Sequence, residues 1–193
     1  MTNKQKTFTE ELLLITNSKI FEFTSLAVDM LPDYFFVVPA SSTGKYHPAY
    51  ALGDGGLVRH VKAAVNIAAV MFGNTTVCGN FNQRHKDLII SALILHDGLK
   101  SGLTKASYTV EEHPILVTRY LRQQFDVLHP DKYNEVMNEV FPLIESHMGQ
   151  WNTNKQGKVI LPLPASGPAR YVHMCDYLAS RKLIDIKFEE CTH

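Results

Sequence analysis

Residues 83–100 read QRHKDLIISALILHDGLK, and their pattern decides how the rest of the chain is read. From Gln83 onward Ile89, Ala92 and Leu93 recur at helical spacing, and His96 completes the same stripe. Asp97 follows directly. The stripe predicts a core helix, yet an unpaired imidazole or carboxylate costs several kcal/mol when buried. Something must therefore neutralise the polar end of this helix.

The same anomaly recurs along the chain. A helix predicted from about Leu57 to Phe72, with Gly73 as its C-cap, buries Leu57, Val61, Ala64, Val65, Ala68 and Phe72, and His60 flanks that face. A helix from about Asp131 to His147 aligns Val136, Val140, Leu143 and Ile144 with His147, across an expected kink at Pro142. A last helix, from Ser166-Gly167-Pro168 to about Ile184, aligns Asp176 with Ala169, Val172 and Ala179, and His173 lies three residues before it. Any one of these could be a core histidine bonded to a backbone carbonyl. Several on separate helices point together to a metal. Imidazole and carboxylate without thiolate suit Mn, Fe, Co, Ni or Zn. Lys100, four residues after His96, falls on the same helical face, where an ammonium could meet a phosphate oxygen.

Between these elements the chain reads as one all-α domain. A first helix is expected from Phe8 to Asn17, with Thr7 and Glu10 spaced as a capping box, and a second from Ile20 to Leu31, stopped by Pro32. Residues 1–38 would then pack on a core formed by 39–184. The segment from Pro39 to Gly56 is a loop by its Gly, Pro and Ser content. A further helix starts between Thr109 and Pro114 and reaches about Phe125, and a small β-ribbon is expected near residues 150–162 around the turn Asn154–Gly157. The glycines of Gly53-Asp54-Gly55-Gly56 could admit a phosphate at a helix start, although a plain entry turn explains them as well.

Composition limits the function classes. The 193 residues carry 19 basic and 19 acidic side chains, 45% apolar content and three cysteines without CxxC spacing. Zero formal charge disfavours a grip on long nucleic acid. The cysteines Cys78, Cys175 and Cys191 read as reduced thiols, which with no signal peptide or membrane span predicts a cytoplasmic protein. The unusual feature is nine histidines, of which His85, His129 and His193 are expected to face solvent.

The order His60, His96-Asp97, Asp176 resembles the HD-domain superfamily of metal-dependent phosphohydrolases. The likeness extends over about Phe35 to Lys182 and is nearest to the HD domain of bacterial 3′-to-5′ exoribonucleases, through FFVVPASSTGKYHPAYALGDGGLVRH and SHMGQWNTNKQGKVILPLPASGPARYVHMCDYLASRK. The chain departs from those enzymes in showing no OB-type nucleic-acid module. The resemblance implies a compact helical HD bundle in which His60, His96, Asp97 and Asp176 hold one divalent metal ion. Asp97 would bridge to a second ion completed by His113 and His147. It further implies hydrolysis of a phosphate ester by a hydroxide that two metals activate, with Asp97 and Lys100 in the catalytic machinery. His47, His173 and Trp151 are the candidates for orienting substrate, protonating the leaving oxygen or stacking on a base.

The expected substrate is a small nucleotide or short oligonucleotide rather than a long nucleic acid, with no membrane partner. Self-association stays open. Two rivals remain at this level: a diiron oxygenase using the same ligand order, and a non-catalytic nucleotide-binding module.

Overall fold

The Thr2 hydroxyl accepts a hydrogen bond from Gln5 N at 3.2 Å, and the Gln5 side-chain oxygen accepts one from Thr2 N at 3.0 Å. This reciprocal cap starts α1 (Asn3–Thr7), and a second short helix, α2 (Thr9–Leu12), follows Phe8. The single helix expected from Phe8 to Asn17 is thus replaced by two shorter ones that begin and end earlier. The reason lies in the caps. Thr7 closes α1 with its hydroxyl turned back to Asn3 O, and Phe8 stands at the start of α2 without a side-chain cap, whereas Asn17 Oδ1 accepts from Lys19 N and Ile20 N and starts α3 (Ser18–Met30).

Beyond Pro32, two 3₁₀ turns (Asp33–Phe36 and Ala49–Ala51) punctuate the loop that leads to α4 (Gly56–Met71). A single turn, α5 (Thr75–Cys78), which the apolar pattern does not announce, precedes α6 (Gln83–Leu95). The remaining helices are α7 (His113–Leu128), α8 (Asn134–Glu145) and α9 (Gly167–Ala179). The computed structural model describes residues 1–41 and 43–184; Cys191 and His193 lie outside the described residues. Among the described residues the protein is all-α, without a named strand. The expected ribbon is reduced to one antiparallel bridge, Thr153 to Val159, around the Asn154–Gly157 turn.

Helix α6 is the hub. Every residue from Asp87 to Leu95 is buried, and α3, α4, α8 and α9 all pack against it. Its six Leu and Ile side chains each contribute about 1.5–3 kcal/mol of burial. One continuous core runs from Phe8 to Ala179. The N-terminal helices supply part of that core rather than covering it: Phe23 of α3 stacks on Phe125 of α7 at 4.8 Å, and the Thr24 hydroxyl meets Ser91 Oγ of α6 at 2.7 Å. Asp87 fastens the same region, accepting from Thr16 N, the Thr16 hydroxyl, Asn17 N and Gln83 Nε2.

Several helix ends differ from expectation. Helix α4 ends at Met71, and Gly73 N bonds to Val70 O without the left-handed cap its glycine suggested. Helix α8 begins at Asn134 because Asp131 turns with φ of 59°, and it stops at Glu145 rather than His147. Helix α9 stops at Ala179, short of Ile184. These ends matter, because they leave His96, Asp97 and His147 in turns that follow α6 and α8. Among the described residues no helix is long and apolar enough to cross a membrane.

Candidate metal centre

Five helices bring six side chains to one point. His60 comes from α4, His96 and Asp97 from the turn after α6, His113 from the first position of α7, His147 from the turn after α8, and Asp176 from α9. The four imidazoles and Asp97 are essentially inaccessible to solvent, and Asp176 alone is partly exposed. His60 Nε2 lies 2.9 Å from Asp176 Oδ1 and 3.7 Å from Asp97 Oδ2; His96 Nε2 lies 3.4 Å and 3.5 Å from the same two oxygens. The other Asp97 oxygen, Oδ1, lies 3.0 Å from His113 Nε2 and 3.8 Å from His147 Nε2. Asp97 therefore turns one oxygen toward each half of the cluster.

The backbone decides which nitrogen faces inward. His96 Nδ1 donates to Leu93 O, His113 Nδ1 to Val110 O and His147 Nδ1 to Ile144 O, each at 2.7 Å. A carbonyl can only accept, so each Nδ1 carries the proton and each Nε2 presents a lone pair to the centre. His113 Nε2 and His147 Nε2 face one another at 3.4 Å. Two turns make this possible through their glycines. A Cβ on Gly98 would stand 2.6 Å from Leu31 and 2.9 Å from Val117, and Gly149, at φ of 57°, lies so close to the His173 ring that a Cβ there would clash at 2.3 Å.

Electrostatics follow from this crowding. Burial pushes the Asp97 carboxyl up, but the Lys100 ammonium, then His96 and His113, outweigh it and hold it well below the ordinary carboxylate range. Burial likewise opposes ionisation of Asp176, and the bonds to His60 and His96 hold it low. Burial drives the His147 imidazole down to about 3. For His96 burial acts downward too, but Asp97 and Asp176 raise it overall.

The groups His60–His96–Asp97, His96–His147–Asp176 and Asp97–His113–His147 could each hold a metal ion, their ligand atoms lying within 4.8 Å of one another. The chemistry of the donor set fits. Metal–ligand bonds of about 2.0–2.2 Å place neighbouring ligands about 3.0–3.6 Å apart, and the nitrogen–oxygen separations of the cluster, 2.9 to 3.8 Å, lie close to that spacing. His60 Nε2 and His96 Nε2 are fully buried and face the Asp97 and Asp176 oxygens at 2.9–3.7 Å. Lone pairs that converge on carboxylates repel unless a cation lies among them.

Lys100 differs from its expected placement. The helix ends at Leu95, so helical spacing no longer applies, and the Lys100 ammonium donates to Asp97 Oδ2 at 2.6 Å instead of sharing a face with His96. A cleft of about 440 Å³ opens beside it, lined by His47, Lys100, Trp151, Asp176, Tyr177 and Arg181 among others. Trp151 is half-exposed there and stacks on Tyr177 at 5.6 Å, while the Arg181 guanidinium lies over both rings. Tyr177 and Arg181 were not singled out from sequence. The signal that finds them is the four-residue series His173, Tyr177, Arg181 next to Asp176.

His47 borders the cleft with its ring 5.4 Å from His60, and burial pushes its imidazole down to about 4. His173 does not join the ligand cluster. Its Nδ1 donates to His147 O at 2.7 Å and its ring fills the space beside Gly149, so it braces the turn that carries His147. The Gly53–Gly56 turn is a helix entry: Arg59 donates to the carbonyls of Tyr50, Leu52 and Asp54, and a Cβ on Gly56 would clash with Ala51 O. His85 and His129, expected in solvent, are half-buried, packed on Phe81 and on Phe125 and Tyr133. Cys78 and Cys175 are buried free thiols.

No family model, curated protein or solved structure matches the chain. The functional reading therefore rests on the geometry of the cluster and the cleft beside it.

Proposed function

We propose that the chain is an HD-type metal-dependent phosphohydrolase acting on a phosphate ester of a nucleotide or short oligonucleotide. The observation that carries this reading is Asp97: one oxygen turned toward His60, His96 and the Lys100 ammonium, the other toward His113 and His147. Divalent ions held by these residues would acidify a water and neutralise charge on the phosphoryl oxygens. The chain's own groups do the rest. Backbone carbonyls lock the three Nε2 lone pairs in direction, so the centre needs little rearrangement. Lys100, at the floor of the cleft, offers an ammonium to the developing phosphoryl charge. Trp151, half-exposed beside Tyr177, offers an aromatic surface for a base, and His47, on the cleft wall next to His60, is placed to orient the substrate.

Lys100 beside the bridging carboxylate favours an anionic substrate over the oxygen activation of a diiron enzyme. The basic side chains favour a small one. Arg59 is spent on loop carbonyls, while Lys62 pairs with Glu11, Arg84 with Glu135 and Glu139, and Lys132 with Glu22. Those side chains are not free to grip a phosphate backbone, and the chain as a whole carries no basic excess.

The test is elemental analysis joined to an activity screen over mononucleotides, cyclic nucleotides, dinucleotides and short RNA. The expected result is about two transition-metal ions per chain, with hydrolysis lost on chelation and restored by Mn²⁺ or Co²⁺. Full activity in metal-free protein would end the proposal. Oxygen-dependent turnover with a mixed-valent iron EPR signal would reassign the centre to an oxygenase.

A further inference from the structure

Lys100 borders two cavities. One is the aromatic cleft already described. The other, on its far side, has a volume of about 350 Å³ and is lined by Lys100, Lys105, Ser101, Ser107 and Thr109 against the wall Val38–Ala40. No carboxylate lines it. Lys105 has no acidic partner among the described residues, and of the lysines without one it is the one that lines this cavity. The Lys105 ammonium and the hydroxyl side chains of Ser101, Ser107, Tyr108 and Thr109 border this concave space, with Lys100, its ammonium on Asp97, at the edge shared with the centre; a cation among hydroxyls is a surface that recognises an anion.

The loop that makes this cavity is held in shape. Val110 N donates to Lys100 O at 2.9 Å and Ala106 N to Ser101 O at 2.8 Å. The Tyr34 hydroxyl donates to Gly102 O at 2.6 Å, where the chain turns with φ of 85°. Val110 O in turn accepts from His113 Nδ1, so the segment that walls the cavity also orients a ligand of the candidate metal centre. The two sites are built as one unit.

We infer that this cavity is a subsite for a second phosphate of the same substrate, with Lys105 as its specificity-determining residue. This rests on the phosphohydrolase reading above. The substrate then carries two separate phosphate groups, as a nucleoside bisphosphate or a phosphorylated dinucleotide does. The scissile phosphate lies at the cluster, a base lies in the Trp151–Tyr177 cleft, and the next phosphate crosses Lys100 into the second cavity. Trp151 and Tyr177 make the first cleft the place for a base, and Lys105 among hydroxyls, with no carboxylate in the lining, makes the second the place for a phosphate.

The experiment is calorimetric titration of the full chain, in chelator, with adenosine 3′,5′-bisphosphate and with adenosine 5′-monophosphate. Wild type, Lys105→Ala and Lys105→Arg are compared. Lys105 is exposed on its loop, so neither substitution threatens folding. The expected result is that wild type binds the bisphosphate about tenfold more tightly than the monophosphate, as one charge-assisted phosphate contact allows. Lys105→Ala should bring the ratio to about one and Lys105→Arg should restore most of it. Equal affinity for the two ligands in wild type, or a ratio unchanged in Lys105→Ala, would overturn the subsite. Hydrolysis by the metal-loaded protein is scored separately. A preserved binding ratio without ester hydrolysis would sink the enzyme reading and keep the anion site, while hydrolysis without a Lys105 effect would do the reverse.

Discussion

Asp87 and Asp97 belong to the same stretch of chain, one early in α6 and one just past its end, and both are about 1% exposed. Their surroundings are opposite. Asp87 is met by four hydrogen donors, two of them backbone N–H groups of the α2–α3 connection at 2.8 and 3.2 Å. Asp97 is met by four imidazole nitrogens, three of them with their protons committed to backbone carbonyls on the other side of the ring, and by a single ammonium. Burial of a carboxylate is therefore no mark of function by itself. What separates a structural acid from a site acid is whether its neighbours offer hydrogens or electron pairs.

The largest expected effect breaks the comparison directly. Asp97→Ala should lower metal-dependent ester hydrolysis by about a thousandfold or more, and should show none of the rise in melting temperature expected of the wild type on adding Mn²⁺. Asp87→Ala should leave the number of ions per folded chain unchanged. Equal metal content in both variants, measured on folded fractions, would erase the distinction.

Stability should show the reverse order. Asp87→Ala strands buried donors and should cost about 3 kcal/mol in urea titrations, with or without chelator. Asp97→Ala also removes an ion-pair partner, but Lys100 borders the open cleft and can turn its ammonium to water, so the chelated protein should lose less stability than Asp87→Ala does. A loss for Asp97→Ala as large as that for Asp87→Ala in chelator would make both acids structural.

The turn between the helix and the site gives an intermediate effect. Gly98→Ala drives a methyl toward Leu31 and Val117 and should cost about 1–3 kcal/mol by overpacking. Because the same turn aims Asp97, metal affinity should fall as well. A variant as stable as wild type would mean that the close approach at Gly98 does not position the cluster.

The smallest effect concerns pH. The His147 pKa falls from 6.5 to about 3 in the fold, so below pH 6.5 the unfolded chain takes up a proton that the native chain refuses. Stability should therefore drop as pH falls from about 6.5 toward 3. Asp97 and Asp176, held below 3.8, add to that loss at the acid end, as pH falls through their folded values. His96 opposes it: its raised pKa stabilises the fold below 6.5, and that contribution fades as pH rises through its folded value. Melting of chelated protein between pH 6.5 and 4 should thus show a modest decline that His147→Ala flattens. A steeper decline in the variant would contradict the assignment of His147 as the neutral member.

Much of the cluster was legible because its members interrupt apolar stripes. His96, His147 and Asp176 occupy positions where the helical period calls for an apolar side chain and His60 flanks such a face, and the structure gathers all four with Asp97. His113 has no such signal. It stands at the first position of α7 beside Pro114, and only the family resemblance pointed to it. The misplacement of Lys100 has a definite cause: the stripe was extended one turn too far, past Leu95, where the chain leaves helical geometry. The role of His173 was hidden because its partner, the His147 carbonyl, lies on another element.

Local periodicity thus determined the helices, the all-α class and the identity of the residues that must be buried together, since a 3.6-residue repeat is written within each segment. Tertiary structure alone decided which imidazole nitrogen faces the centre, which oxygen of Asp97 serves each half, and that Lys100 stands between an aromatic cleft and a basic cavity. Those outcomes depend on where helices end and which carbonyls from distant segments reach each ring. No repeat within a single segment encodes the meeting of two segments far apart in the chain.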